Sequence, residues 1–228
     1  MRNLFREMLR GVDSCKIGDR DAVFLPTMKT AFITTVAATF LALASASASI
    51  LEEGGGIVYG ENYAFNLRAP KGWMLDNESA LSQGIDAVFY PKGRTWENSV
   101  VVAYARARTR TNEVATADDA AKEAIADFRA KGTAKYDGKR VKAIKTKSGR
   151  EGVIYHFSGD KWGNYEAMVY FVEEKTINLA VLNSRNRKAF EAALPAFEQL
   201  AESYVFLGDA PLKGAEPKGT PSTKEGAK

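Results

Sequence analysis

Short apolar runs separated by turn residues extend from residue 57 to residue 207, and their periods predict an α+β domain over that range. Tyr63, Phe65 and Leu67 alternate with polar or small neighbours, which is the period of a half-buried strand. Together with the run before Gly60-Glu61-Asn62 they predict two short strands over 57–68. Ala69-Pro70-Lys71-Gly72 reads as a turn, and strands follow at 73–75, 85–90 and 99–109. Thr116, with Asp119 three positions on, caps a helix that Gly132 stops; Ala120, Ala121, Ala124, Ile125 and Phe128 form its buried stripe. Four more strands are expected at 139–147, 152–159, 165–173 and 176–183, with turns at 148–150 and 173–175. The runs AMVYFV and INLAVL are apolar on both faces, so they are expected in the middle of the sheet, covered on both sides. A last helix is predicted over 186–203 from the spacing of Phe190, Ala193, Leu194, Phe197, Leu200 and Tyr204. Pro195 is expected to kink it or to begin a second segment, and 204–207 to add a closing strand. Strands outnumber helices and meet through short turns, so the central sheet is expected to be mostly antiparallel and flanked by helices.

Upstream of this domain the pattern changes. Met28-Lys29-Thr30 precedes an apolar run from Ala31 to Ala44 and then Ser45-Ala46-Ser47-Ala48, which predicts a secretory signal over 28–48, cleaved after Ala48 or Ala46. The run is short for a membrane span, and the competing reading is an uncleaved anchor or a buried helix. Residues 1–27 are either a long basic region or an extension upstream of a true start at Met28. Residues 49–56 are expected to be a flexible leader, and 208–228, rich in Gly, Pro, Lys, Ser and Thr, a disordered tail. The expected location is therefore the periplasm or beyond it, with no membrane span after cleavage.

The layout is similar to that of the PsbP-like group, named for an extrinsic photosystem II subunit and shared by small exported bacterial proteins. The resemblance is carried by YAFNLRAPKGW (63–73), VFYPKG (88–93), the helix at 116–131 and SYVFL (203–207). It implies a central antiparallel sheet flanked by helices and used for binding other proteins, with no shared catalytic residue.

Charge and rare residues narrow the chemistry. The formal net charge of +4 falls to near +2 without residues 1–48, which does not suggest a nucleic-acid partner. Cys15 is the only cysteine and lies upstream of the predicted cleavage site, and His156 is the only histidine. Thiol catalysis in the mature chain and a multi-histidine zinc site are thereby excluded. No G-x-S-x-G elbow, P-loop or dinucleotide fingerprint occurs, and no cofactor is implied.

Three groups of binding candidates remain. The loops PKGRTWENS and SGDKWGNYE share a Trp-x-Asn pattern, Trp96 with Asn98 and Trp162 with Asn164. Such tips either bind a partner through their aromatic area or fold back over the sheet edge. Asp160, Asn164 and Glu166 add oxygens, with no EF-hand spacing. Nine basic residues lie between Arg129 and Arg150 against the single acid Asp137; Lys139, Arg140, Lys142 and Lys145 are their centre. They suit an anionic lipid or acidic protein surface, or equally an edge strand guarded by charge. Arg106, Arg108 and Arg110 share one strand face opposite Ala103, Ala105 and Ala107, and are expected to point outward, either clamping an anion or pairing with neighbouring acids. The reading that emerges is an exported, non-enzymatic accessory protein contacting an envelope protein. The alternatives are a small-ligand or anionic-lipid binder, and a hydrolase whose site carries no recognisable motif.

Overall fold

The structure is a computed structural model that describes residues 51–209. The expected extension (1–27), signal (28–48) and most of the tail (210–228) lie outside the described residues. The strands are β1 (Leu51–Glu52), β2 (Gly55–Gly60), β3 (Tyr63–Arg68), β4 (Trp73–Asp76), β5 (Val88–Pro91), β6 (Val101–Thr109), β7 (Asp137–Lys145), β8 (Glu151–Ser158), β9 (Tyr165–Val172), β10 (Thr176–Ser184) and β11 (Val205–Gly208). The helices are α1 (Ala117–Ala130), between β6 and β7, and α2 (Arg187–Glu202), between β10 and β11.

Eight strands form one sheet in the order β1-β4-β5-β6-β10-β9-β8-β7, and a second sheet has the order β11-β3-β2. All pairings are antiparallel, as expected from the short turns. The doubly apolar runs are β9 and β10. They lie inside the large sheet, and every residue of β10 is buried. A strand apolar on both faces must be covered on both, and two separate cores do this. On one face, α2 and the small sheet bring Phe65, Leu67, Phe190, Phe197 and Leu200 onto Ala103, Val169, Phe171 and Leu182. On the other, α1 and residues 80–85 cover Tyr104, Tyr155, Met168, Tyr170 and Val181 with Ala120, Ala121, Phe128 and Ile85.

The start of α1 follows the capping rule. Thr116 Oγ1 accepts from the Asp119 N–H at 3.1 Å, and the Asp119 carboxylate accepts from the Thr116 N–H at 3.0 Å. Tyr204 fastens the end of α2 to the large sheet. Its ring stacks on Phe171 at 3.9 Å, and its hydroxyl donates to Glu173 Oε1 and accepts from Asn178 Nδ2.

Two expectations are corrected. Residues 51–56 are not a free leader: Leu51 pairs with Leu75 and Glu52 with Met74, and β2 already begins at Gly55. Pairing to β4 supplies the order that this short Gly-rich stretch cannot generate locally. Pro195 begins no second segment, because α2 runs through it as one helix.

Candidate functional site

The antiparallel order brings both tryptophan loops to one end of the large sheet. The loop at 92–100 enters β6 and the loop at 159–164 enters β9, and Val101 and Tyr165 both pair with Ser184 at the end of β10. Trp96 and Trp162 are half-buried and fold back onto the α1-side core. Their asparagines serve the loops themselves. Asn98 Oδ1 accepts from the Thr95 N–H at 2.8 Å. Asp160 Oδ1 accepts from the N–H groups of Trp162 and Asn164 at 3.0 and 2.8 Å, and Asn164 Nδ2 donates to Asp160 Oδ2. The carboxylate of Asp160 thus organises a tight turn. Lys161 Nζ sits 4.6 Å above the Trp162 ring.

Glu166 separates from this loop. Its carboxyl is buried beneath α1, accepting from the Tyr136 hydroxyl at 2.7 Å and from Asn183 Nδ2 at 2.8 Å. Burial pushes it up to about 7, and the nearby Asp160 charge adds to the rise while the two donors oppose it. Glu166 is therefore a buried, hydrogen-bonded core group that resists ionisation below about pH 7, and not an outward oxygen ligand. Among the described residues no set of three or more His, Cys, Asp or Glu is placed to hold a metal ion. Tyr136, stacked between Phe128 and Phe157, and Asn183 escaped the sequence reading. Tyr136 lies in a connection with no periodicity, and its contact with Glu166 spans 30 positions.

The arginine row does not face outward as expected. Arg106 and Arg108 share the α1-side face with Tyr104 and are half-buried there. The Arg106 guanidinium lies 5.9 Å from the Tyr104 ring centroid, and Arg108 forms an ion pair with Glu123 of α1. Strand alternation identified the shared face correctly, but both faces of β6 are covered, so neither is free. Arg110 is exposed and donates to the carbonyls of Ala115 and Glu173 at 3.0 and 3.2 Å, tying the β6–α1 connection to the end of β9.

Lys139, Arg140, Lys142 and Lys145 are exposed on β7, the last strand of the large sheet. A register shift between Arg140 and Lys142 sends neighbouring cations to opposite faces. Arg140 then approaches Asp118 of α1 at 4.0 Å, and Lys142 pairs with Glu198 of α2 at 2.7 Å. His156, on the adjacent strand, is half-buried edge-on to Phe190, and burial lowers its pKa.

Exposed apolar side chains gather on the small sheet. Ile57 and Tyr59 of β2 remain 47% and 44% exposed, and Val205 and Leu207 of β11 remain 38% and 45% exposed. Ile57 and Val205 both pair with Asn66 of β3, which puts them on one face, with Val58 and Phe65 turned to the core behind it. The sequence shows the alternation in both segments. It does not show that strands so far apart in the chain flank the same partner.

Among the described residues no helix is long and apolar enough to cross a membrane. No protein-family model matches the sequence, and no curated protein matches it. In fold the chain is similar to the solution structure of cyanobacterial PsbP (CyanoP) from Synechocystis sp. PCC 6803, with a TM-score of 0.45 and 12% identity, covering 68% of this chain and 94% of that one. That protein belongs to the group the sequence resembles, and the likeness is one of overall layout.

Proposed function

We propose that this protein is a non-enzymatic accessory protein of the cell envelope, exported by its N-terminal signal, which holds a partner protein on the outer face of the small sheet. The observation that carries this reading is the placement of Ile57, Tyr59 and Val205 together on one solvent-facing sheet surface, with Leu207 exposed at the register shift that follows Val205 and Phe206. Apolar side chains gathered in this way mark contact surfaces more often than scattered ones do. Most of the other candidates are engaged within the chain: the tryptophans lie on the core, Glu166 is buried, and Arg108, Arg140 and Lys142 have acidic partners, while Lys139 and Lys145 stay exposed on β7. The lipid-binding alternative loses support from the pairing of Arg140 and Lys142.

The test is photo-crosslinking in intact cell envelopes from a probe at Leu207, with a probe at Glu97 in the Trp96 loop as control. The expected result is a discrete protein adduct from Leu207 that V205D/L207D abolishes while the melting temperature is kept. Adducts from Glu97 alone, or none from Leu207, would remove the basis for this reading.

A further inference from the structure

The two outer edges formed by β7 and β2 are treated oppositely. Strand β7 carries Lys139, Arg140, Lys142 and Lys145 and a register shift, all of which discourage a further strand from adding to it. Strand β2 reads GGIVYG and has no charge, no proline and no bulge. Among the described residues it pairs only with β3.

The hairpin geometry shows which groups face that open edge. Gly60 pairs with Tyr63 across the two residues Glu61 and Asn62. In a two-residue hairpin the closing pair exchanges both backbone hydrogen bonds, and the pattern then alternates. Gly60, Val58 and Gly56 therefore bond towards β3. The N–H and C=O groups of Ile57 and Tyr59 point away from it, towards the unpaired side.

We propose that a second copy of this chain pairs antiparallel on β2, about a two-fold axis at Val58, joining two small sheets into one of six strands. This register sets Ile57 opposite Tyr59 of the partner subunit, Gly56 opposite Gly60 of the partner subunit, and Val58 opposite Val58 of the partner subunit. The groups that β3 leaves free on Ile57 and Tyr59 are then the ones that bond across the axis. Each cross-strand pair is either glycine with glycine or apolar with apolar, and a β-branched side chain against an aromatic one is a favourable pair. No like charges meet. A strand that fits its own inverted copy in this way needs no foreign sequence, which is why a second copy is the occupant assigned here. Pairing at the edge leaves the outer face open and doubles it, so the inference goes beyond partner docking and does not require it.

Sedimentation equilibrium of the protein purified from cells tests this across a concentration series. The expected weight-average mass rises from one chain to two. I57K/Y59K and I57E/Y59E each place like charges across the axis and are expected to weaken pairing by about tenfold or more. An equimolar mixture of the two, with Lys opposite Glu at both positions, is expected to restore the two-chain mass. Thermal unfolding of each variant confirms that it is folded. A one-chain mass up to about 1 mM, the weak end of specific affinity, overturns the proposal. So does a two-chain mass that the lysine variant leaves unchanged, or a mixture that stays monomeric. A monomer that still gives the Leu207 adduct would remove this inference alone, whereas a dimer that gives no adduct would remove only the docking reading.

Discussion

Glu166 is the residue at which burial and charge are most at odds. Its two oxygens each accept a hydrogen bond, from Tyr136 and Asn183, yet its surroundings favour the protonated form up to about pH 7. In the unfolded chain the same carboxyl ionises near its ordinary value of 4.5. Below that value both states are protonated and the group has no effect on stability. Between 4.5 and about 7 the unfolded state ionises while the folded state resists, so stability falls as pH rises and then levels off. The loss is bounded at about 3–4 kcal/mol, since every tenfold difference in proton affinity between the two states is worth about 1.4 kcal/mol. Glu166→Gln keeps an acceptor for Asn183 and a group for the Tyr136 hydroxyl, but cannot ionise. Urea unfolding at pH 5 and pH 8 is expected to show the variant gaining about 1–3 kcal/mol on the native protein at the higher pH. A difference that does not change with pH would place an ionised, compensated carboxylate at this position. The sequence grouped Glu166 with Asp160 and Asn164 as an oxygen donor of the second tryptophan loop. Strand alternation alone could not show that α1 lies over that face.

At the scale of elements, the connection between β8 and β9 carries two glycines with positive φ, 89° at Gly159 and 77° at Gly163. A Cβ at Gly163 would meet open space, while one at Gly159 would lie 2.2 Å from the carbonyl oxygen of Lys135, in the segment leading into β7. Gly163→Ala is therefore expected to cost about 1 kcal/mol of backbone strain. Gly159→Ala is expected to cost clearly more, because the Lys135 backbone must also move. Equal losses in chemical denaturation would show that this loop does not pack on that segment as described. Where an element carries its own signal, the sequence sufficed. The capping box at Thr116 and Asp119, the apolar runs of β9 and β10, and the spacing of Phe190, Phe197 and Leu200 each specify a local structure. Strand β1 has two residues and no period, and it exists only because β4 pairs with it. The direction taken by Arg106 and Arg108 depended likewise on what packs above β6, which local sequence cannot report.

Across the whole molecule, one large sheet is covered on both faces, and a small sheet beside α2 turns its second face to solvent. The α+β class and the antiparallel arrangement were legible because short turns and alternating runs leave few other topologies. The small sheet was not, since it joins residues 55–68 to residues 205–208 at opposite ends of the domain, and no local pattern encodes that closure. Its exposed apolar face is the basis of the functional reading, and hydrogen exchange mapped by mass spectrometry tests it most directly. Exchange is compared between purified protein and protein held in native cell-envelope extract. The account predicts new protection in peptides covering 55–60 and 203–208, with the tryptophan loops at 92–100 and 159–164 unchanged. Protection gained at those loops, with β2 and β11 unaffected, would contradict it.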